Sequence, residues 1–284
     1  MTDAAAAVVR PMHGGDIPAA ATISLAAFGV PTDDLSVLEV WTRRVAHCHE
    51  SDPAGAFVAE RDGRLVGAVA ALRRERTWIL SLLTVAPTAQ GGGIGRALLS
   101  ASLDYAAPDD AGLIISSNDP RALSAYGSAG FALQPAFEAR GTIVLERRPA
   151  DLPEVTDGAG ALPELSAISR EVRGASHEQE LPHALYRGAR ILRLGDRGFA
   201  VAQQGHGVWL LAARDEAAAT ALLWHALAEV GHTDRAPIRW ITGDQQWAID
   251  VALQAGLRLV PYGAVCMRRV RAPLRPYLPS GSFA

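Results

Sequence analysis

The chain has 284 residues, of which 49% are hydrophobic and 20% charged, and its formal net charge is -3. That length can bury one large core or two ordinary ones, and the near-neutral balance excludes a broad basic face for nucleic acid. No run approaches the ~20 apolar residues that cross a bilayer, residues 1–10 do not read as a signal peptide, and the two cysteines, Cys48 and Cys266, make neither a disulfide scaffold nor a zinc module. A cytoplasmic protein is therefore expected, with no nucleic-acid partner, no membrane and no metal, as monomer or homodimer. All 27 basic residues are arginine, which removes Schiff-base lysines and any Walker-type phosphate loop from consideration.

In chain order the patterning predicts a short strand at 7–10, an amphipathic helix over 16–28 and another over 35–47. Strands follow at 56–60 and 65–72, joined by Arg61-Asp62-Gly63-Arg64, an Asp-Gly hairpin turn. A strongly apolar strand spans 78–85, then a helix 95–106, a strand 113–116, a helix 119–128 ended by Gly130, and a closing strand over 137–145. Residues 146–165, rich in proline, glycine and acids, read as a linker. Beyond it come strands at 190–194, 199–203 and 208–212, a helix over 216–230, a strand at 238–241 and a helix over 246–255. The same order recurs, and with it Ala97-Leu98-Leu99 matches Ala221-Leu222-Leu223, while Ser128-Ala129-Gly130-Phe131 matches Gln254-Ala255-Gly256-Leu257. This is an internal repeat. The expected domains are 1–148, a linker 149–165, and 166–284.

Chemistry concentrates after the apolar strand, in Gln90-Gly91-Gly92-Gly93-Ile94-Gly95-Arg96. Glycines let backbone N–H groups turn toward one point, and the following helix N-terminus adds partial positive charge, so the stretch is suited to a pyrophosphate. It lacks the Gly-Lys-Ser/Thr of a Walker loop. It also lacks a third glycine at the dinucleotide spacing, where Arg96 or Leu98 stands instead.

Gln90-Gly91-Gly92-Gly93-Ile94-Gly95 fills every position of the Gln/Arg-x-x-Gly-x-Gly/Ala loop and resembles the GNAT family of N-acetyltransferases. Tyr126 followed by Gly130-Phe131 resembles that family's second signature, and the likeness covers about residues 8–146. The resemblance implies an α/β fold of two tandem GNAT-like domains, each a mixed, mostly antiparallel sheet flanked by helices. It also implies an acetyl-CoA-dependent acyltransferase in which an amine attacks the thioester directly. Leu83, Thr84 and Val85 would hold the acyl-pantetheine arm by backbone bonds. Gln90, Gly91, Gly92, Gly93, Ile94, Gly95 and Arg96 would cradle the pyrophosphate, and Tyr126 would protonate the departing thiolate.

The chain departs from the family in two places. Asp119 stands where the family often has asparagine, so Asn118, one residue earlier, becomes the candidate for the pantetheine. Ile79 stands where the family's general base is a glutamate. Ser81, two residues on and on the same strand face, could order a water instead, and His47, His49 and Glu75 are other candidates near substrate. Arg173-Gly174-Ala175-Ser176-His177 is a polar knot, either a solvated loop or a substrate contact through Arg173 and His177.

In the second repeat the stretch facing the glycine loop is Arg214-Asp215-Glu216-Ala217-Ala218-Ala219-Thr220, with no glycine and two carboxylates, and Ala252 faces Tyr126. The second domain is expected to be degenerate, leaving one cofactor site per chain. A small-molecule amine is the favoured acceptor. An acyl-CoA-binding sensor without turnover, or a protein amine as acceptor, are the alternatives.

Overall fold

The structure, a computed structural model, describes residues 6–284. Backbone contacts group the chain into two compact units, the first running to residue 73 and over 78–110, the second comprising 74–77 and 111–284.

In the first unit β1 (Val8–Pro11), β2 (Ala56–Arg61), β3 (Arg64–Arg74) and β4 (Thr77–Val85) are neighbours in that order, with α1 (Ile17–Ala27), α2 (Leu35–Ser51) and α3 (Ile94–Leu103) around them. The Asp-Gly turn behaves as expected: Asp62 (φ 52°) and Gly63 (φ 71°) both take the left-handed conformation that joins twisted strands through two residues. β4 is almost wholly buried. Trp78 at its start is 0% exposed, and its Nε1 donates to the Ser102 carbonyl at the end of α3 at 2.8 Å. Near the start of α3 the helix comes so close to β3 that a Cβ on Gly67 would lie 2.9 Å from Leu98 Cδ1 and 3.0 Å from the Thr84 carbonyl. A side chain there would have to displace these neighbours.

The second unit contains β5 (Ala111–Ser116), α4 (Pro120–Ser128), β6 (Ala132–Arg140), β7 (Thr156–Asp157), α5 (Leu162–Arg173), α6 (Glu180–Tyr186), β8 (Arg190–Leu194), β9 (Gly198–Gln203) and β10 (Gly207–Ala213). It continues with α7 (Glu216–Val230), β11 (Ile238–Thr242), α8 (Gln246–Gln254), β12 (Arg258–Arg268) and β13 (Tyr277–Leu278). Thus three strands, a helix, a strand, a helix and a strand occur in that order twice, from β2 to β6 and from β8 to β12. The matching helices also end alike. Gly130 (φ 82°) and Gly256 (φ 80°) close α4 and α8, and the amides of Phe131 and Leu257 donate back to the carbonyls of Tyr126 and Ala252 at 3.1 and 2.9 Å.

The last strands of the two repeats are interleaved. Their order is β5-β12-β6-β11, and every one of these pairs is antiparallel. Each repeat therefore places its final strand beside the penultimate strand of the other. A single glycine permits this approach: Gly263 has φ 64°, and a Cβ on it would lie 1.9 Å from the Ser116 carbonyl. The remaining strands form a second sheet in the order β13-β10-β9-β8-β7, backed by the fully buried Leu222, Leu223 and Trp224 of α7.

Three sequence expectations are corrected. The closing strand lies at Ala132–Arg140 rather than 137–145. The 149–165 stretch is not only a linker, because it holds β7 and the start of α5, whose exit is turned by Gly174 at φ 87°. The backbone contacts also divide at residues 110 and 111, not near 148, because strand exchange ties β5 and β6 to β11 and β12. Among the described residues no helix is long and apolar enough to cross a membrane.

Candidate functional site

The site is built where β4 runs out. The Ala86 amide donates to the Val66 carbonyl at 2.8 Å, a short turn spans Pro87–Ala89, and the Gln90 side chain folds back to donate from Nε2 to the Val85 carbonyl at 3.0 Å. Gly91 (φ 88°) and Gly93 (φ 78°) are left-handed, and Gly93 is the residue from which α3 departs. A Cβ at either would meet nothing within 4 Å. Glycine is needed here for backbone conformation, and the space above the turn is open. Gly91, Gly92 and Gly93 are exposed, and the first amides of α3, at Ile94, Gly95 and Arg96, have no acceptor within the helix. Open turn, unpaired amides and helix N-terminus together make an anion cradle. Gly95 is different, since a Cβ there would make an ordinary 3.7 Å contact with Val85 Cγ2.

Around β4, Leu83 and Val85 are half-buried, whereas Thr84 is buried with its Oγ1 3.1 Å from Ser24 Oγ. Thr84 can therefore serve a ligand only through its backbone. Ser81 is also buried. Its Oγ lies 3.3 Å from Cys48 Sγ, and its carbonyl accepts from Arg44 Nη2 at 2.5 Å, with burial pushing the pKa of that guanidinium down. The Ser81 hydroxyl is thus turned into the contact with α2 rather than left free to order a water. Ile79 is fully buried, and His47 is half-buried one residue from Cys48.

Tyr126 belongs to the second unit. It is 6% exposed on α4, and burial, with the neighbouring Cys266 and Asp119, raises its pKa and keeps the phenol protonated. Burial also lifts the Cys266 thiol to about 12. Its spacing to Gly130-Phe131 has a structural cause, because this is the helix-closing turn described above. Gly130 and Phe131 are the residues that end α4.

Several expected contacts go elsewhere. Asn118 Oδ1 accepts the Gly263 amide and so fastens β12 beside β5. Glu75 is paired with Arg170 at 2.7 Å. Arg173, 2% exposed, donates to the carbonyls of Ala175, Ser176, Phe283 and Ala284. His177 is 0% exposed, with Nδ1 2.9 Å from Ser169 Oγ and Nε2 3.0 Å from the Ala284 carbonyl. The polar knot is neither a solvated loop nor a substrate contact. It anchors residues 283–284. Desolvation, assisted by the positive charge of Arg173, holds the His177 pKa well below the ordinary histidine range.

The second repeat has no cradle. Asp215 caps α7 by accepting from the Ala218 amide at 2.8 Å and pairs with Arg197 at 2.6 Å, so a carboxylate stands where the first repeat has glycines. The end of β10, Leu211 to Ala213, matches Leu83 to Val85 of β4, and it is covered by the chain itself: Leu278 and Tyr277 pair with Leu211 and Ala212, and the Ala213 amide donates to Pro276 at 3.2 Å. A cavity of about 570 Å³ also opens in the second unit, between Leu113, Gln134, Thr242, Gln245, Met267 and Leu274. None of the candidate catalytic, cofactor or substrate residues lines it, since its walls come from strands distant in the chain.

A mostly antiparallel α/β protein with an anion cradle at a strand-to-helix turn is the class defined by this architecture. Residues 25–145 match the model of the acetyltransferase (GNAT) domain, a range that includes both the glycine turn and Tyr126. The chain is 38% identical over 85 residues to a mycothiol acetyltransferase of Streptomyces griseus, covering 28% of each chain. It is 30% identical over 147 residues to that of Streptomyces coelicolor, covering 43% of this chain and 48% of the relative. The chain thus spans under half the length of the curated relatives it matches. In fold it is similar to a proposed acetyltransferase of Pyrococcus horikoshii, with TM-score 0.78 over 98% of this chain and 96% of that one at 16% identity. It is also similar to a GCN5-related N-acetyltransferase of Kribbella flavida, with TM-score 0.58 over 93% and 71% at 16% identity. The likeness to the GNAT acetyltransferase domain thus covers residues 25–145.

Proposed function

We propose that the protein is an acetyl-CoA-dependent N-acetyltransferase acting on a small-molecule amine. The observation that carries this is the open turn at Gly91 and Gly93, left-handed at both glycines and unobstructed above them, at the N-terminus of α3. Amides from Gly91 to Arg96 suit the cofactor's diphosphate, and the backbone of Leu83 to Val85 suits its pantetheine arm. Acetyl-CoA supplies the activated acetyl group when bound. Attack by the amine nitrogen forms the C–N bond and breaks the C–S bond; the nitrogen sheds its surplus proton to water, and the Tyr126 phenol would give a proton to the departing thiolate. No carboxylate stands at Ile79, so this position supplies no base, and an amine that reaches the site neutral needs none.

The name of the relatives supports a small molecule as acceptor. We read the second repeat as a duplicated domain that has lost cofactor binding, with Asp215 in place of the glycines and residues 276–278 on the strand end. Calorimetric titration with acetyl-CoA should then give one site per chain, and a panel of small amines should elicit thiol release. Absence of binding would refute the cofactor assignment, and two sites would refute the loss of the second. The buried Ile79 favours one other reading, an acyl-CoA-binding sensor, and binding without thiol release for any amine would establish it.

A further inference from the structure

We infer that Arg61, which lies outside the family's loop motif, is a ligand of the cofactor's diphosphate. The inference rests on the proposed function and adds a side chain to a cradle otherwise made of backbone. Arg61 is the last residue of β2, and the chain brings it onto the glycine turn: a Cβ built on Gly92 would lie 3.5 Å from Arg61 Nη2. Gly92 has no other neighbour within 4 Å of that position. Unlike Gly91 and Gly93, it does not need glycine for its backbone, since it is absent from the left-handed residues. The guanidinium thus rests in ordinary van der Waals range of the turn, between its two left-handed glycines.

One N–H of the guanidinium is unsatisfied. Arg61 Nε is buried and finds no hydrogen-bond partner among the described residues. The neighbouring carboxylate of Glu60 is engaged by Arg10, whose Nε donates to Glu60 Oε2 at 3.1 Å. A buried N–H without an acceptor is costly. Nη2 rests against the turn, so an anion seated on the turn's amides would meet this guanidinium there. The planar fork of arginine offers parallel donors to two phosphate oxygens, which amides pointing at a single oxygen do not.

The test is calorimetric titration of the full chain and of its Arg61→Gln and Arg61→Lys variants. The probes are acetyl-CoA, acetyl-dephospho-CoA without the 3′-phosphate, and S-acetylpantetheine without any phosphate. The expected result is a loss on the order of 10–100-fold for Arg61→Gln with both nucleotide thioesters equally. S-acetylpantetheine should bind as it does to wild type, the lysine variant should recover part of the loss, and the thermal midpoint should be unchanged. Unchanged affinity for acetyl-CoA would overturn the inference. So would a loss confined to acetyl-CoA, which would place the guanidinium on the 3′-phosphate. Failure of the wild-type protein to bind any of the three is a different outcome, and it would remove the cofactor assignment together with this inference.

Discussion

Gly93→Glu separates binding from folding. Gly93 has φ 78°, and a Cβ there meets nothing within 4 Å, so the fold bears only the left-handed strain, about 1–2 kcal/mol. A carboxylate at the start of α3 offsets about 0.3–1 kcal/mol of it through the helix dipole. The net loss, roughly 1 kcal/mol, is small beside the 5–15 kcal/mol of a typical domain. Binding suffers more than folding does. A carboxylate roughly 5 Å from a phosphate, at an effective dielectric of about 20, repels it by about 3 kcal/mol, which is more than a hundredfold in affinity. The assay is calorimetry with acetyl-CoA beside a thermal melt, with Gly93→Gln as the uncharged comparator. A folded Gly93→Glu protein that binds acetyl-CoA as tightly as wild type would refute the cradle.

Three further outcomes follow from named contacts. Tyr126→Phe should lower turnover by about 10²–10⁴-fold while acetyl-CoA affinity stays within a few-fold; full activity in steady-state kinetics would remove Tyr126 as the acid. Gly263→Ala, whose Cβ would lie 1.9 Å from the Ser116 carbonyl at φ 64°, should cost several kcal/mol and drop the melting temperature sharply. Gly95→Ala, with its nearest contact at 3.7 Å, should melt like wild type, and equal midpoints for the two variants would refute the strand-exchange argument. His177, buried and with its folded pKa well below 6.5, takes a proton more readily when unfolded, so stability should be level above about pH 7 and fall as pH drops below 6.5. The slope from this group is about 1.4 kcal/mol per pH unit. Chemical denaturation at pH 5.5 and 7.5 measures it, and His177→Gln should remove that share of the difference.

Much of the first repeat is legible because its signals are local. The Asp62-Gly63 turn needs two left-handed residues in sequence and has them. The turn from Gln90 to Gly95 carries its own conformational requirement. The Tyr126 motif is a helix end whose glycine closes the hydrogen bonds of the preceding turn. Several site candidates are polar residues whose partners lie far along the chain. Asn118 serves Gly263, while Arg173 and His177 serve residues 283–284. A polar side chain advertises only that it needs a partner. A ligand and a distant carbonyl satisfy that need equally well.

By itself, then, the sequence determined the recurring order of elements and the glycine turn with its likeness to the GNAT domain, because each rests on residues within one or two turns of chain. Tertiary structure decided the exchange of β6 and β12, the covering of β10 by residues 276–278, the capture of Ser81 by Cys48 and the placing of Arg61 on Gly92. Those depend on which strand edges find each other and which side chains then lie in reach. A strand's unpaired amides and carbonyls are chemically alike along its length, so the choice among edges is made by packing: a glycine at 263 admits β12.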